Sequence, residues 1–215
     1  MFIRYLPCIF AACAVAQSTY PIQNDQVRVI VAHEQPHVRT PMHEHKLNRV
    51  MIYMQAGSQE FRNAQGKAST MNFRAGEVRW SPAGGMHTAE VVSPGPMTIV
   101  EVEVKKPGNP KIKASGPLDP VKVDPKHYKV EFENDQVRVL RVIIGPHEST
   151  PLHHHAVNRV VTYLTDQDFR VTSEDGKVEV SRHHAGEVSW GGPATHKEEN
   201  LSDKPFEVVV TELKN

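Results

Sequence analysis

The chain has 215 residues, 39% of them hydrophobic, with 25 basic side chains set against 25 acidic ones. That length allows one large domain or two of about 100 residues each, and the composition is that of a globular chain rather than a fibrous or disordered one. With no net charge there is no long-range field to draw it onto nucleic acid or an anionic membrane, so neither is expected as a partner.

The chain opens with "MFIRYLPCIFAACAVAQ". Arg4 precedes an apolar stretch from Tyr5 to Val15, and Ala14 and Ala16 give the A-x-A arrangement that signal peptidase prefers. The stretch is too short for a bilayer, which needs about 20 apolar residues. Residues 1–16 are therefore expected to be a signal peptide cleaved after Ala16, making the protein exported, periplasmic or extracellular, without a membrane span. Both cysteines, Cys8 and Cys13, fall in this segment. The mature chain then has no disulfide and no thiolate to serve as ligand or nucleophile.

The mature chain is an internal repeat. "NDQVRV" at Asn24–Val29 returns at Asn134–Val139, an offset of 110 that also carries "TPMHEH" to "TPLHHH", Tyr53 to Tyr163 and "AGEVRW" to "AGEVSW". Past the tryptophans the offset falls to 109, pairing His87 with His196. One residue is missing from the second copy. Between the copies, Lys105–His127 contains five prolines, several lysines and two glycines, which suits an exposed connector unable to settle into helix or sheet. The expected layout is a first domain at 18–105, a linker at 106–125 and a second domain at 126–215.

Each copy is read as short strands. "VRVIVAH", "RVMIYM" and "MTIVEVEV", like "VRVLRVII", "RVVTYL" and "FEVVVTEL", are rich in β-branched residues and bounded by Gly, Pro, Asn and Asp turns. No long stretch has helical periodicity with caps. The expected class is all-β, a sandwich or barrel, twice.

The histidines carry the chemistry. A strand turns alternate side chains to one face, so His43 and His45 project together, as do His153 and His155. Two imidazoles rarely make a selective metal site alone. His87 and His196 are the candidates for a third donor, each reached from the "AGEV" strand through a Gly/Pro loop, "SPAGGMH" or "GGPATH".

These residues resemble the cupins, small jelly-roll β-barrels in which a motif G-x5-H-x-H-x3-4-E-x6-G pairs with G-x5-P-x-G-x2-H-x3-N. "GEVRWSPAGGMH" fits the second motif from Gly76 through Pro82 and Gly84 to His87, and "HKEEN" fits its end from His196 to Asn200. The resemblance spans almost all of the mature chain and implies two tandem cupin-type jelly-roll β-barrels. It implies metal ligation by His43, His45 and His87 in the first and by His153, His155 and His196 in the second. The family's glutamate is absent from its place, which here holds Arg49 or Val50, and Arg159 or Val160.

Three neutral imidazoles would leave a cation its full charge and favour an anionic ligand in the open positions. Among cupins that donor set resembles thiol and diketone-cleaving dioxygenases, which use ferrous iron, although Mn, Ni, Cu and Zn also accept imidazole. The expected cofactor is thus a divalent transition metal. The expected function is a metal-dependent oxygenase or other enzyme acting on a small anionic or enolisable molecule. The alternative is a barrel protein that binds metal or small ligand without turnover. The family commonly assembles further, so a homo-oligomer is among the expectations.

Catalytic residues are not assigned. Arg49 and Arg159 suit a substrate carboxylate, or equally salt bridges to Glu77 and Glu187 at the rim. Tyr53 and Tyr163 are read as barrel filling that could also donate a proton, and Trp80 and Trp190 as core. His154 should face away from its neighbours, and His33, His37, His127, His147, His183 and His184 are read as surface or turn residues. No G-x-S-x-G and no phosphate-binding glycine loop is present.

Overall fold

The computed structural model describes residues 17–215; the expected signal peptide, residues 1–16, lies outside them. Nine strands form from the first copy: β1 (Gln17–Gln23), β2 (Val27–Glu34), β3 (His43–His45), β4 (Asn48–Tyr53), β5 (Gly57–Asn63), β6 (Ala68–Phe73), β7 (Glu77–Ser81), β8 (Gly84–Val91) and β9 (Met97–Val104). A single helical turn, α1 (Pro120–Val123), comes next. The second copy repeats the set as β10 (Tyr128–Glu133), β11 (Val137–Ile144), β12 (His153–His155), β13 (Arg159–Tyr163), β14 (Gln167–Ser173), β15 (Val178–His183), β16 (Val188–Gly191), β17 (Ala194–Asn200) and β18 (Phe206–Leu213).

In each half the strands divide into two antiparallel sheets that face one another. The five-stranded sheets run β1-β2-β9-β4-β7 and β10-β11-β18-β13-β16, and the four-stranded sheets run β3-β8-β5-β6 and β12-β17-β14-β15. The two halves differ by one residue, and the ladder shows where it goes. His153 pairs with His196 and His155 with Ala194 in unbroken register, whereas between the His43–His87 and His45–Gly84 pairs the register shifts. The extra residue of the first copy is a β-bulge in β8, where Gly84 and Gly85 take φ of 127° and 71° that side-chain-bearing residues avoid.

Both faces of the five-stranded sheets are buried, which is why their strands read as near-continuous apolar runs instead of clean alternations. On β2, β4 and β9, Val27, Val29, Val31, Val50, Ile52, Val100, Val102 and Val104 face the other half, where Val137, Val139, Val160, Val209 and Leu213 meet them in one cluster. The intervening residues, such as Met51, Tyr53, Met97 and Ile99, point into the first jelly roll, and Leu140, Val142, Phe206 and Val208 into the second.

Polar contacts across this interface are reciprocal. Asn158 donates to Gln26 Oε1 at 2.6 Å and Asn48 donates to Gln136 Oε1 at 2.5 Å. The same side chain meets the same partner twice, as in a two-fold symmetric dimer. The recurrence of "NDQ" and "NRV" is explained by this symmetry, and Asn24 and Asn134 add an Asx turn by accepting from the N–H groups of residues two and three further on.

The connector is less free than its composition implies. Asp119 accepts from the N–H of Val121 to cap α1, and Ala114, Asp119, Pro120 and Asp124 are buried against the second half. The surface reading of the remaining histidines also needs correction at His127. It is buried between Asp124 Oδ2 at 2.7 Å and Glu148 Oε2 at 2.9 Å. His37 and His147 are turn residues as expected, both with positive φ, 61° and 55°.

If the valine interface holds the halves together, truncating it should cost what a core cavity costs. Val209→Ala should lower unfolding free energy by about 2 kcal/mol in denaturant titration, whereas Val180→Ala, on the exposed strand β15, should change it by less than about 0.5 kcal/mol.

Candidate metal centres

Strands β3 and β12 are three residues long and sit at the edge of their sheets, paired to β8 and β17. That pairing sets His43 opposite His87 and His153 opposite His196, while the two-residue period of the strand brings His45 and His155 to the same face. In each half the three imidazoles offer nitrogens lying within 4.8 Å of one another. All six histidines singled out from the sequence are therefore brought together, in two groups of three.

The ring environments fit a cation. Nδ1 of His43, His87 and His153 faces the carbonyl oxygens of Pro41 at 2.8 Å, Gly85 at 2.7 Å and Pro151 at 3.0 Å. A carbonyl only accepts, so these Nδ1 atoms carry the proton and the Nε2 lone pairs point inward. His155 Nδ1 is held likewise by Glu212 Oε1 at 2.8 Å. Nε2 of His43 and His45 lie 3.1 Å apart. Two nitrogens at right angles on one ion, each about 2.1 Å from it, are separated by about 3.0 Å. His196 Nε2 is buried with no hydrogen-bond partner, a costly state for such an atom unless something else meets it.

The two centres are not equivalent. His153, His155 and His196 are 0%, 3% and 7% exposed, while the first group is only half-buried. Each opens into a cavity between its sheets, of about 260 Å³ in the first half and about 330 Å³ in the second. The motif position does lack a glutamate, but the cavities do not lack carboxyl groups. Glu34 from β2 and Glu101 from β9 line the first cavity, and Glu198 from β17 lines the second. Glu101 Oε2 lies 3.8 Å from His45 Nδ1, and Glu198 Oε1 lies 3.9 Å from His196 Nε2.

Tyr128, from β10, belongs to no motif. Its hydroxyl donates to Glu198 Oε2 at 2.7 Å and its oxygen lies 3.1 Å from His153 Nε2. The repeat offers no hint of these groups, because Ala89, Val210 and Ser18 stand at the places corresponding to Glu198, Glu101 and Tyr128.

Arg49 and Arg159 both reach the cavities, and neither pairs with the rim glutamates. Glu77 is taken by Arg79 at 2.6 Å and Glu187 by His183 at 3.1 Å. Arg49 is buried beside Glu101, 3.3 Å from Nε to Oε2, and its Nη1 has no partner. Arg159 is pinned: its guanidinium donates to the Gly192 carbonyl and lies flat on Gly191, where an added Cβ would come within 2.9 Å of Cζ.

Tyr53 and Tyr163 are buried among the cavity walls, Tyr53 stacked on Phe73 at 3.8 Å and Tyr163 on His183 at 3.9 Å with its hydroxyl on Ser189. His183 is thus a cavity residue, not a surface one. Trp80 packs beside the shared core, but Trp190 is 38% exposed at the second cavity's edge, contrary to a core reading. His154 points away from its neighbours, to Thr195 Oγ1 at 2.9 Å.

No protein-family model matches the chain and no curated protein matches it. Solved structures do. AerE from Microcystis aeruginosa superposes with a TM-score of 0.65 at 13% identity, over 94% of this chain and 98% of its own. Bacillus subtilis oxalate decarboxylase, described with Mn(II) centres, gives 0.62 at 15% identity, over 93% of this chain and 72% of its own. The fold is the cupin fold, present twice. Within this cupin fold the imidazole groups hang from the edge strands of the smaller sheets and the strands paired to them, and the arginines from the larger sheets. Among the described residues no helix is long and apolar enough to cross a membrane.

Burial holds the imidazole of His155 well below its ordinary range, that of His196 down to about 4, and that of His87 below its usual value. Below about pH 6.5 the unfolded chain takes up protons that these folded rings refuse, so their stabilising contribution is full above that pH and lost as pH falls toward 4. Glu101 has the opposite sign. Burial pushes its carboxyl up to about 7, so its contribution is present below about pH 4.5 and lost as pH rises toward 7. In metal-free protein, His196→Gln should flatten the fall in Tm between about pH 6.5 and 4. Glu101→Gln should raise Tm by an amount that grows between about pH 4.5 and 7 and is greatest above about pH 7.

Proposed function

We propose that the protein is a metal-dependent cupin enzyme that binds a divalent transition metal on three histidines in each half and acts on a small carboxylate or enolisable molecule. The observation that carries this is the first cavity. It holds three convergent imidazoles at one end and, in the same wall, a buried guanidinium with an unpartnered Nη1. A buried donor without an acceptor costs free energy that a substrate carboxylate would recover.

His43, His45 and His87, and His153, His155 and His196, would hold the ions. A divalent ion bound there supplies Lewis acidity and open coordination positions. The chain's own groups do the rest. Arg49 orients a carboxylate by charge-assisted hydrogen bonds, Glu101 and Tyr53 hold protons at the cavity wall, and the apolar sheet faces exclude water. The second cavity offers Tyr128 and Glu198 in their place, with Arg159 already engaged. Imidazole suits Fe, Mn, Ni, Cu and Zn alike; manganese is the first to try, given the Mn(II) centres of the Bacillus enzyme with the same fold. Export is part of the same reading and rests on residues 1–16 alone.

Metal analysis of untagged, reconstituted protein should give about two ions per chain, falling to about one in His43→Ala or His153→Ala. Fewer than about 0.2 ions per chain would overturn the reading. Turnover is tested with a panel of small acids and diketones, oxalate included, by following oxygen uptake and product formation. Arg49→Ala should raise KM for an anionic substrate about 10- to 100-fold while leaving the metal content unchanged. Metal-replete protein that converts nothing across the panel would favour the second reading, a cupin that binds metal without catalysis.

A further inference from the structure

We propose that the crevice beside Arg28, on the outside of the first half, is a docking site for an extended acidic peptide segment supplied by another molecule. The repeat provides the template. In the second half the connector lies across β11 and β12. There Asp119 Oδ2 accepts from Arg138 Nη1 at 2.6 Å, the Ala114 carbonyl accepts from Nη2 at 3.1 Å, and the Leu118 carbonyl takes the N–H of His154 at 2.7 Å. Nε of the same arginine donates to Glu212 Oε2 at 2.6 Å. Under this cover Arg138, Glu212 and His155 are 4%, 0% and 3% exposed.

Arg28 stands where Arg138 does, and Glu103 where Glu212 does, with the same Nε-to-carboxylate bond at 2.5 Å. No counterpart of the connector lies over them among the described residues; the Tyr20 ring stands beside Arg28, its centroid 5.9 Å from Cζ. The Arg28 side chain is 41% exposed, and among the described residues its two terminal nitrogens meet no acceptor. The space that the connector fills on the second half is here an open crevice of about 460 Å³, lined by Arg28, Ile30, Glu44, Lys46, Leu47 and Lys105.

Its charge favours a carboxylate. Glu103 is engaged by Arg28 and Glu44 lies 3.5 Å from Lys46, which leaves one cationic group in excess, Lys105, whose ammonium donates to the Asn24 carbonyl. Residues 1–16 precede the first half as the connector precedes the second, yet they contain no Asp or Glu. They therefore offer no counterpart to Asp119, and the proposed source of the complementary acid is another molecule. The occupant would bond as the connector does, with a carboxylate on one terminal nitrogen of Arg28, a carbonyl on the other, and a second carbonyl beside the edge of β3. Such a segment would also bury His45, which forms a wall between this crevice and the histidine cavity.

The chain's own connector is the probe. A fluorescent peptide with the sequence Ala114–Val121 should bind the purified protein saturably in an anisotropy titration. Affinity should fall by about tenfold or more when Asp119→Asn is made in the peptide, and similarly with Arg28→Gln in the protein. Arg138→Gln should leave it unchanged. Three results would overturn the proposal: no saturable binding below about 1 mM, equal binding of the Asn peptide, or dependence on Arg138 in place of Arg28, which would mean displacement of the resident connector. Because one change lies in the peptide, the outcome does not hinge on whether a protein variant folds.

Discussion

The structure depends on burying both faces of two five-stranded sheets. One face of each closes over a cavity, and the other is pressed against its counterpart through valines, isoleucine and leucine that are almost wholly excluded from water. That arrangement fixes the rigid wall of each jelly roll, and with it the placement of Arg49, Arg159, Glu101 and Glu212 on the inward-facing positions of the same strands. A side chain in the shared core and a side chain in a cavity are neighbours along one strand. Packing between the halves therefore sets the geometry of both sites.

Against that rigid wall the smaller sheets supply the histidines. Edge strands of three residues are an economical way to present two imidazoles on one face, with the third delivered by the adjacent strand. Backbone carbonyls of Pro41, Gly85 and Pro151 orient His43, His87 and His153, so for these rings the orientation is built into local chain geometry, and the proline contact recurs in both halves. His155 is instead held by Glu212, far along the chain.

The halves have nevertheless diverged around that common centre. In the second the histidines are buried and the connector lies over one side, with a tyrosine and a glutamate against the histidines and the arginine pinned on Gly191. The first is more open, with an unpartnered guanidinium nitrogen and a buried carboxyl beside it. Duplication preserved the imidazole donors and the symmetric Asn–Gln contacts, and changed what surrounds them.

How much could be read from the chain depends on the range of the interactions involved. Strand class, the repeat, the grouping of six histidines and the turn role of His37 and His147 were legible, because each rests on a two-residue period or on motif spacing. Glu101, Glu198 and Tyr128 were not, because they sit on strands distant in sequence and have no counterparts in the other copy. Trp190 and His127 were misjudged for a related reason: residue type gives average burial, whereas actual burial depends on which segment comes to lie over it. By itself, then, the sequence determined two β units with three convergent imidazoles apiece. Tertiary structure alone decided that the units share a core, that the connector covers one and not the other, and which carboxyl groups reach each cavity, since all three are set by contacts between residues far apart along the chain.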